Sequence, residues 1–231
     1  MAPDTRGASM WRDAALVAGK DLRIEARSRV ATNQVVPFAF LILVLFGFAL
    51  DADRTLLIRT AAGLYWVAVL FSALLAVQRS AAIEAADGAR DQLRLSGLDP
   101  AGVFLGKVAA VAVQLLVLEV LLGAGVVVLY GANIRGAVLV TATCVTATAG
   151  LAAAGTLYGS LAAGLKVRET LLPLLLLPVA APVLLAATEA WQAALDGAPG
   201  DGISWLRLLA VFATVYLTFG VVAFGSLLEE S

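Results

Sequence analysis

Glu119 is the residue most capable of chemistry, because it stands alone in the middle of the apolar run 103–130. An ionisable group at such a place is either functional or a protonated carboxyl hydrogen-bonded between helices. Thr141, Thr143, Thr146 and Thr148 in the following run are its possible partners. No second acid stands at a spacing useful for hydrolytic acid–base work. The chain has no histidine and a single cysteine, Cys144. That excludes a Ser/His/Asp triad, His-ligated zinc, imidazole ligation of a haem iron by this chain and an intrachain disulfide. Gly102-Val-Phe-Leu-Gly106-Lys107-Val108 resembles a phosphate loop only superficially. Three residues separate its glycines and Val108 follows the lysine, whereas G-x-x-x-x-G-K-[ST] has a longer gap and a hydroxyl for magnesium. The expectation is a chain without catalytic, cofactor or metal site of its own, and without nucleic acid as a partner.

The elements that position these residues are written in the hydropathy. Of 231 residues, 61% are hydrophobic and 14% charged, against about 25% charged in a soluble domain. Crossing a bilayer takes roughly 20 apolar residues as a helix. Six segments qualify, at about 34–50, 57–77, 103–130, 137–164, 171–187 and 205–228. The fold class expected is an all-α integral membrane protein, with residues 1–231 forming one transmembrane domain. Pro173, Pro178 and Pro182 should kink or break the fifth span and free carbonyls that neighbours or water must satisfy. Gly155-Thr-Leu-Tyr-Gly159, with Gly150, Ala154 and Ala163, forms a small-residue strip that lets helices approach closely, within the subunit or at a dimer seam.

Lysine and arginine placement orients the chain. With both ends in the cytoplasm, only Arg54, Arg59, Arg135 and Arg207 of the 16 basic residues fall outside. Tyr130, Trp191 and Trp205 then lie near the outer interface. The charged N-terminal segment lacks the early apolar run of a cleavable signal. Residues 10–29 fit a helix lying along the cytoplasmic surface, with Trp11, Ala15, Ala18 and Leu22 at helical spacing and Arg12, Lys20, Arg23 and Arg27 toward lipid phosphates. Between the second and third spans, residues 84–98 alternate charge with leucine. Asp87-Gly88 is a turn signal, a short helix follows, and Asp99-Pro100 starts the next helix as N-cap and first residue. Such a segment suits docking to a cytoplasmic partner, or is a solvated loop. The outer loop 188–204 carries acids and glycines and no evident ligand site.

Taken in order, these features resemble the membrane subunit of an ABC transporter of the ABC-2-type exporter class, and more narrowly the haem exporter protein B (CcmB) family. The resemblance runs from Trp11 to the end. It rests on Lys20-Asp-Leu-Arg-Ile-Glu25, Gly63-Leu-Tyr-Trp-Val67, Asp87-Gly-Ala-Arg-Asp-Gln-Leu-Arg-Leu95, Gly106-Lys107 and Leu177-Pro178-Val-Ala-Ala-Pro182. It implies a non-catalytic permease subunit, working as a homodimer in the bacterial inner membrane. The partners implied are a separate CcmA-like ATPase that binds ATP and CcmC-, CcmD- and CcmE-like proteins. ATP would drive haem export or release of the haem-loaded chaperone for cytochrome c maturation. By the same resemblance Asp87–Leu95 is a coupling helix: Leu93 and Leu95 anchor in a groove of the ATPase, Glu84 and Asp91 pair with basic residues there, and Gly88 permits the turn. Without histidine, haem ligation falls to the partners. The same architecture would also serve an exporter of a lipid, drug or polysaccharide, and a non-transporting assembly scaffold is the reading from another class.

Overall fold

The computed structural model describes residues 5–28, 31–50, 53–85, 97–162 and 168–230. Among them the chain forms helices and no strand. Helix α1 spans Thr5–Ser28, a π-helical turn Ala31–Val35 leads into α2 (Val36–Ala49), and α3 (Arg54–Ala85), α4 (Pro100–Tyr130), α5 (Ala137–Ala162), α6 (Arg168–Leu195) and α7 (Ile203–Glu230) follow. In lipid a helix is the one open-ended structure that satisfies its own backbone, so long apolar runs have no competing conformation. Helices α3 to α7 are each long and apolar enough to cross a membrane.

The first expected span differs. Helix α2 has 14 residues, about 21 Å of rise against about 30 Å of hydrocarbon. It joins the N-terminal helix across a 55° bend, and only the two together pass as a sixth span. Helix α2 nevertheless reaches the far end of the bundle. Tyr130 donates to the Leu43 carbonyl at 2.7 Å, and Arg54, just beyond α2, donates to the Gly131 carbonyl at 3.2 Å. The chain then runs back through α3, and the C-terminal part of α7 returns to Pro100 at the α1 end.

Helix ends follow local chemistry. Asp99 caps α4 by accepting from the Ala101 and Gly102 N–H groups at 2.8 and 3.3 Å, and Pro100 fills the first turn. Gly131 ends α4 at φ 65°, with the Arg54 guanidinium 2.8 Å from where a Cβ would stand. Only glycine fits both constraints. Helix α6 corrects one expectation. It carries Pro173, Pro178 and Pro182 without a break and extends to Leu195, so residues 188–195 are not loop. Burial of Ala187, Ala190, Trp191, Ala194 and Leu195 favours the longer helix, and the connection to α7 shrinks to 196–202.

Helix α5 is the hub, buried along most of its length. Its small residues bring neighbours to backbone contact: a Cβ on Gly150 would lie 2.7 Å from the Phe212 ring, and one on Gly155 would overlap Val77. The glycine strip therefore packs inside the subunit. Gly155→Leu should lower stability by about 1–3 kcal/mol through overpacking, whereas Gly123→Ala, with nothing within 4 Å, should not. The thermal midpoint in detergent, read from the reaction of Cys144 with a thiol dye, checks both.

Candidate functional site

The expected coupling residues Asp87, Gly88, Asp91, Leu93 and Leu95 lie outside the described residues, as does the side chain of Glu84. The two stems that bracket them are described: the last turns of α3 and the first turns of α4. Both are held by α1. Asp13 accepts from the Asp99 N–H at 3.1 Å, so the residue that caps α4 is itself fixed to α1. At Gly102 and Gly106 a Cβ would stand 2.7 Å from the Met10 carbonyl and 2.6 Å from the Ala14 carbonyl. The two helices cross in backbone contact.

Two turns farther along α1, the contact becomes ionic. Lys107, 2% exposed, lies 3.6 Å from Asp21. Arg79 near the end of α3 donates from Nε to Glu25 at 2.6 Å. Removing such charges from water is tolerable only because each has a partner of opposite sign. Trp11, Ala15 and the basic residues Arg12, Lys20, Arg23 and Arg27 are exposed, and Ala18 and Leu22 are half-buried. The opposite face of α1, which carries Asp13, Ala14, Val17, Asp21 and Glu25, is the one that grips the bundle. The structure buries Lys107 under α1. The spacing of the acids on α1 was the available signal, since Asp13, Asp21 and Glu25 share one helical face with Val17.

A second polar cluster sits within the membrane-spanning part. Thr148 donates to the Glu119 carboxyl, and Glu119 is 3% exposed. Tyr65 donates to the Glu119 backbone carbonyl at 3.2 Å and lies 3.4 Å from Cys144 Sγ. The Tyr65 ring stacks on Trp191 with centroids 4.0 Å apart and meets Trp66 edge-on at 5.3 Å. Of the expected threonines, Thr148 is the partner, Thr146 bonds back to the Ala142 carbonyl at 2.6 Å, and Thr143 is buried. Tyr130 and Trp191 are buried among the helices. Among the described residues no base pairs with Glu119, and no group of three His, Cys, Asp or Glu could hold a metal. The arrangement ties α3, α4, α5 and α6 together; it offers no nucleophile–base pair.

A cavity of about 700 Å³ opens between α1, α2, α3, α4 and α6, with Glu25, Gln34, Arg79 and Gln114 toward the α1 end and Leu118 and Leu121 deeper.

Comparison with known proteins covers nearly the same length as the fold. A family model described as "CcmB protein" matches residues 12–231. "Heme exporter protein B" of Pseudomonas aeruginosa is 29% identical over 209 residues, covering 90% of this chain and 94% of that protein. Proteins of the same name from Haemophilus influenzae and Escherichia coli K12 are 30% and 33% identical, covering 88% and 91% of this chain and 93% and 95% of theirs.

Two outcomes test the clusters. Arg79→Glu should destabilise the α1–α3 contact, and adding Glu25→Arg should recover about 0.5–3 kcal/mol of coupling energy, read by thermal midpoint. Glu119→Gln, which keeps the shape and the bond from Thr148, should hold the midpoint. Glu119→Ala should lower it by roughly 1–2 kcal/mol.

Proposed function

The chain belongs to the CcmB protein family, and on that premise we propose that it is the membrane subunit of an ABC-type complex handling haem for cytochrome c maturation. Relatives named "Heme exporter protein B" and matched across about nine-tenths of both chains support the cargo. The observation that carries the mechanical part is the clamp on both stems of the segment 86–96. Asp13 holds the cap of α4, Asp21 holds Lys107, and Glu25 holds Arg79. A push on that segment would pass into α3 and α4 as a pair, with α1 moving alongside rather than sliding past.

In this reading a CcmA-like ATPase binds and hydrolyses ATP, and two copies of this chain receive its motion through Asp87–Leu95. Leu93 and Leu95 insert in the ATPase groove, Glu84 and Asp91 meet basic residues there, and Gly88 makes the turn. A nucleotide moves the complex only through different affinity for its two states, so the docked segments must shift between ATP-bound and free forms. Movement would reach α5 and α6 through Tyr65, Glu119 and Thr148. Haem is gripped by CcmC- and CcmE-like partners, with a CcmD-like protein in the complex. The α1 end would face the cytoplasm of the inner membrane. Arg12, Lys20, Arg23, Arg27, Arg79 and Lys107 lie at that end, and Arg54, Arg135 and Arg207 at the other.

Leu93→Asp tests the coupling. In a bacterial strain lacking its own family member, the variant should reach wild-type levels in the membrane and yield no haem-stained c-type cytochrome. Wild-type cytochrome levels would remove the docking role from this segment.

A further inference from the structure

The cavity between α1, α2, α3, α4 and α6 is lined partly by polar groups, from Glu25, Gln34, Gln78, Arg79 and Gln114, and partly by leucines. Its floor is closed by Leu115, Leu118 and Leu172, each under 5% exposed. The rim is not closed: Leu75, Val117 and Leu121 are 41%, 59% and 41% exposed, apolar side chains on helices long and apolar enough to cross a membrane. An opening between such side chains suits lipid, with the polar groups gathered where Glu25 of α1 meets Arg79.

Chemistry narrows the occupant. A wholly apolar molecule would set hydrocarbon against the Gln34, Gln78 and Gln114 side chains and the Glu25–Arg79 pair that line the cavity, and offer none of them a polar contact. A head of single negative charge would meet Glu25, 2.6 Å from Arg79, and a smaller cavity of about 20 Å³ continues from this point to Asp21 and Lys107. The polar end thus alternates Glu25, Arg79, Asp21 and Lys107 in balanced charge. A head that carries both signs, with an ammonium donor and a phosphate acceptor, matches that alternation. About 700 Å³ is ordinary for a ligand site, and takes a head group with the first part of its chains while the chain ends stay in the bilayer. We propose that this cavity binds one zwitterionic phospholipid of the phosphatidylethanolamine class, taken from the leaflet on the α1 side. The lipid bridges the short helix α2 to α3 and α4, where α2 by itself falls short of the hydrocarbon thickness.

The test uses the full chain in nanodiscs containing phosphatidylethanolamine with a diazirine on one acyl chain, irradiated, digested and mapped by mass spectrometry. Labelling should concentrate on residues 72–82 and 114–121, and should be competed by unlabelled phosphatidylethanolamine more strongly than by phosphatidylglycerol. Ala76→Trp, which fills the cavity, should abolish that labelling while the exposed face of α7 around Val211 and Val222 is labelled as before. The Cys144 dye midpoint identifies any variant that fails to fold; Leu118→Phe then replaces it as the cavity-filling variant. Labelling spread evenly over the lipid-facing helices, indifference to the filling variant, or equal competition by phosphatidylglycerol would overturn the assignment. Displacement of the label by hemin with no lipid preference would give the cavity to a tetrapyrrole and overturn it equally.

Discussion

Asp21 and Glu25 of α1 meet Lys107 and Arg79 in surroundings where an unpaired charge would be untenable. Everything at the α1 end follows from that requirement. Because each carboxylate faces a cation on a different helix, α1 cannot lift from the bundle without exposing or orphaning charge. Because Gly102 and Gly106 let the α1 and α4 backbones touch, the pairs form without the long, flexible reach that would weaken them. Arg79 and Lys107 lie on the two helices that bracket residues 86–96, so α1, α3 and α4 behave as one body around that segment.

Farther from this end, cohesion changes in kind. Between helices in lipid the hydrophobic effect is small, so packing and hydrogen bonds must hold the bundle. Helix α5 meets this need with glycine and alanine, which bring Val77 and Phe212 to its backbone. The Glu119–Thr148–Tyr65 contacts add directional links among α3, α4 and α5, and Trp191 of α6 stacks on the same tyrosine. A rigid upper bundle and a clamped lower triad are what a subunit needs if motion delivered at one end is to be felt at the other.

Much of this was legible in the sequence, and the exceptions share a cause. The start of α4 follows from Asp99-Pro100 because capping is local grammar. Five of the six spans follow from hydropathy because lipid admits no alternative to a helix. The Glu119–Thr148 link was within reach, since a buried acid must find a donor and the threonine run stood opposite. The pairs Asp21–Lys107 and Glu25–Arg79 join residues far apart in sequence: the shared face of Asp13, Asp21 and Glu25 marks the α1 side of them, and nothing local marks Lys107 or Arg79 as their partners. That Tyr130 and Trp191 are buried was hidden for the same reason: an aromatic near a span end can face lipid or the bundle until its neighbours are known. The prolines of α6 leave a kink and a break equally open in the sequence, and the helix carries them without a break. Helix α2 fell short because hydropathy measures apolar length, whereas the π-helical turn and bend depend on how α1 packs.

The most direct measurement is purification of the chain in mild detergent from its native host, with co-purifying proteins identified by mass spectrometry. An ABC ATPase recovered together with CcmC- and CcmE-like proteins is the result the proposed function predicts. Recovery of the intact chain with no ATPase would contradict the central claim, and the clamp would then be a purely structural fastening of α1.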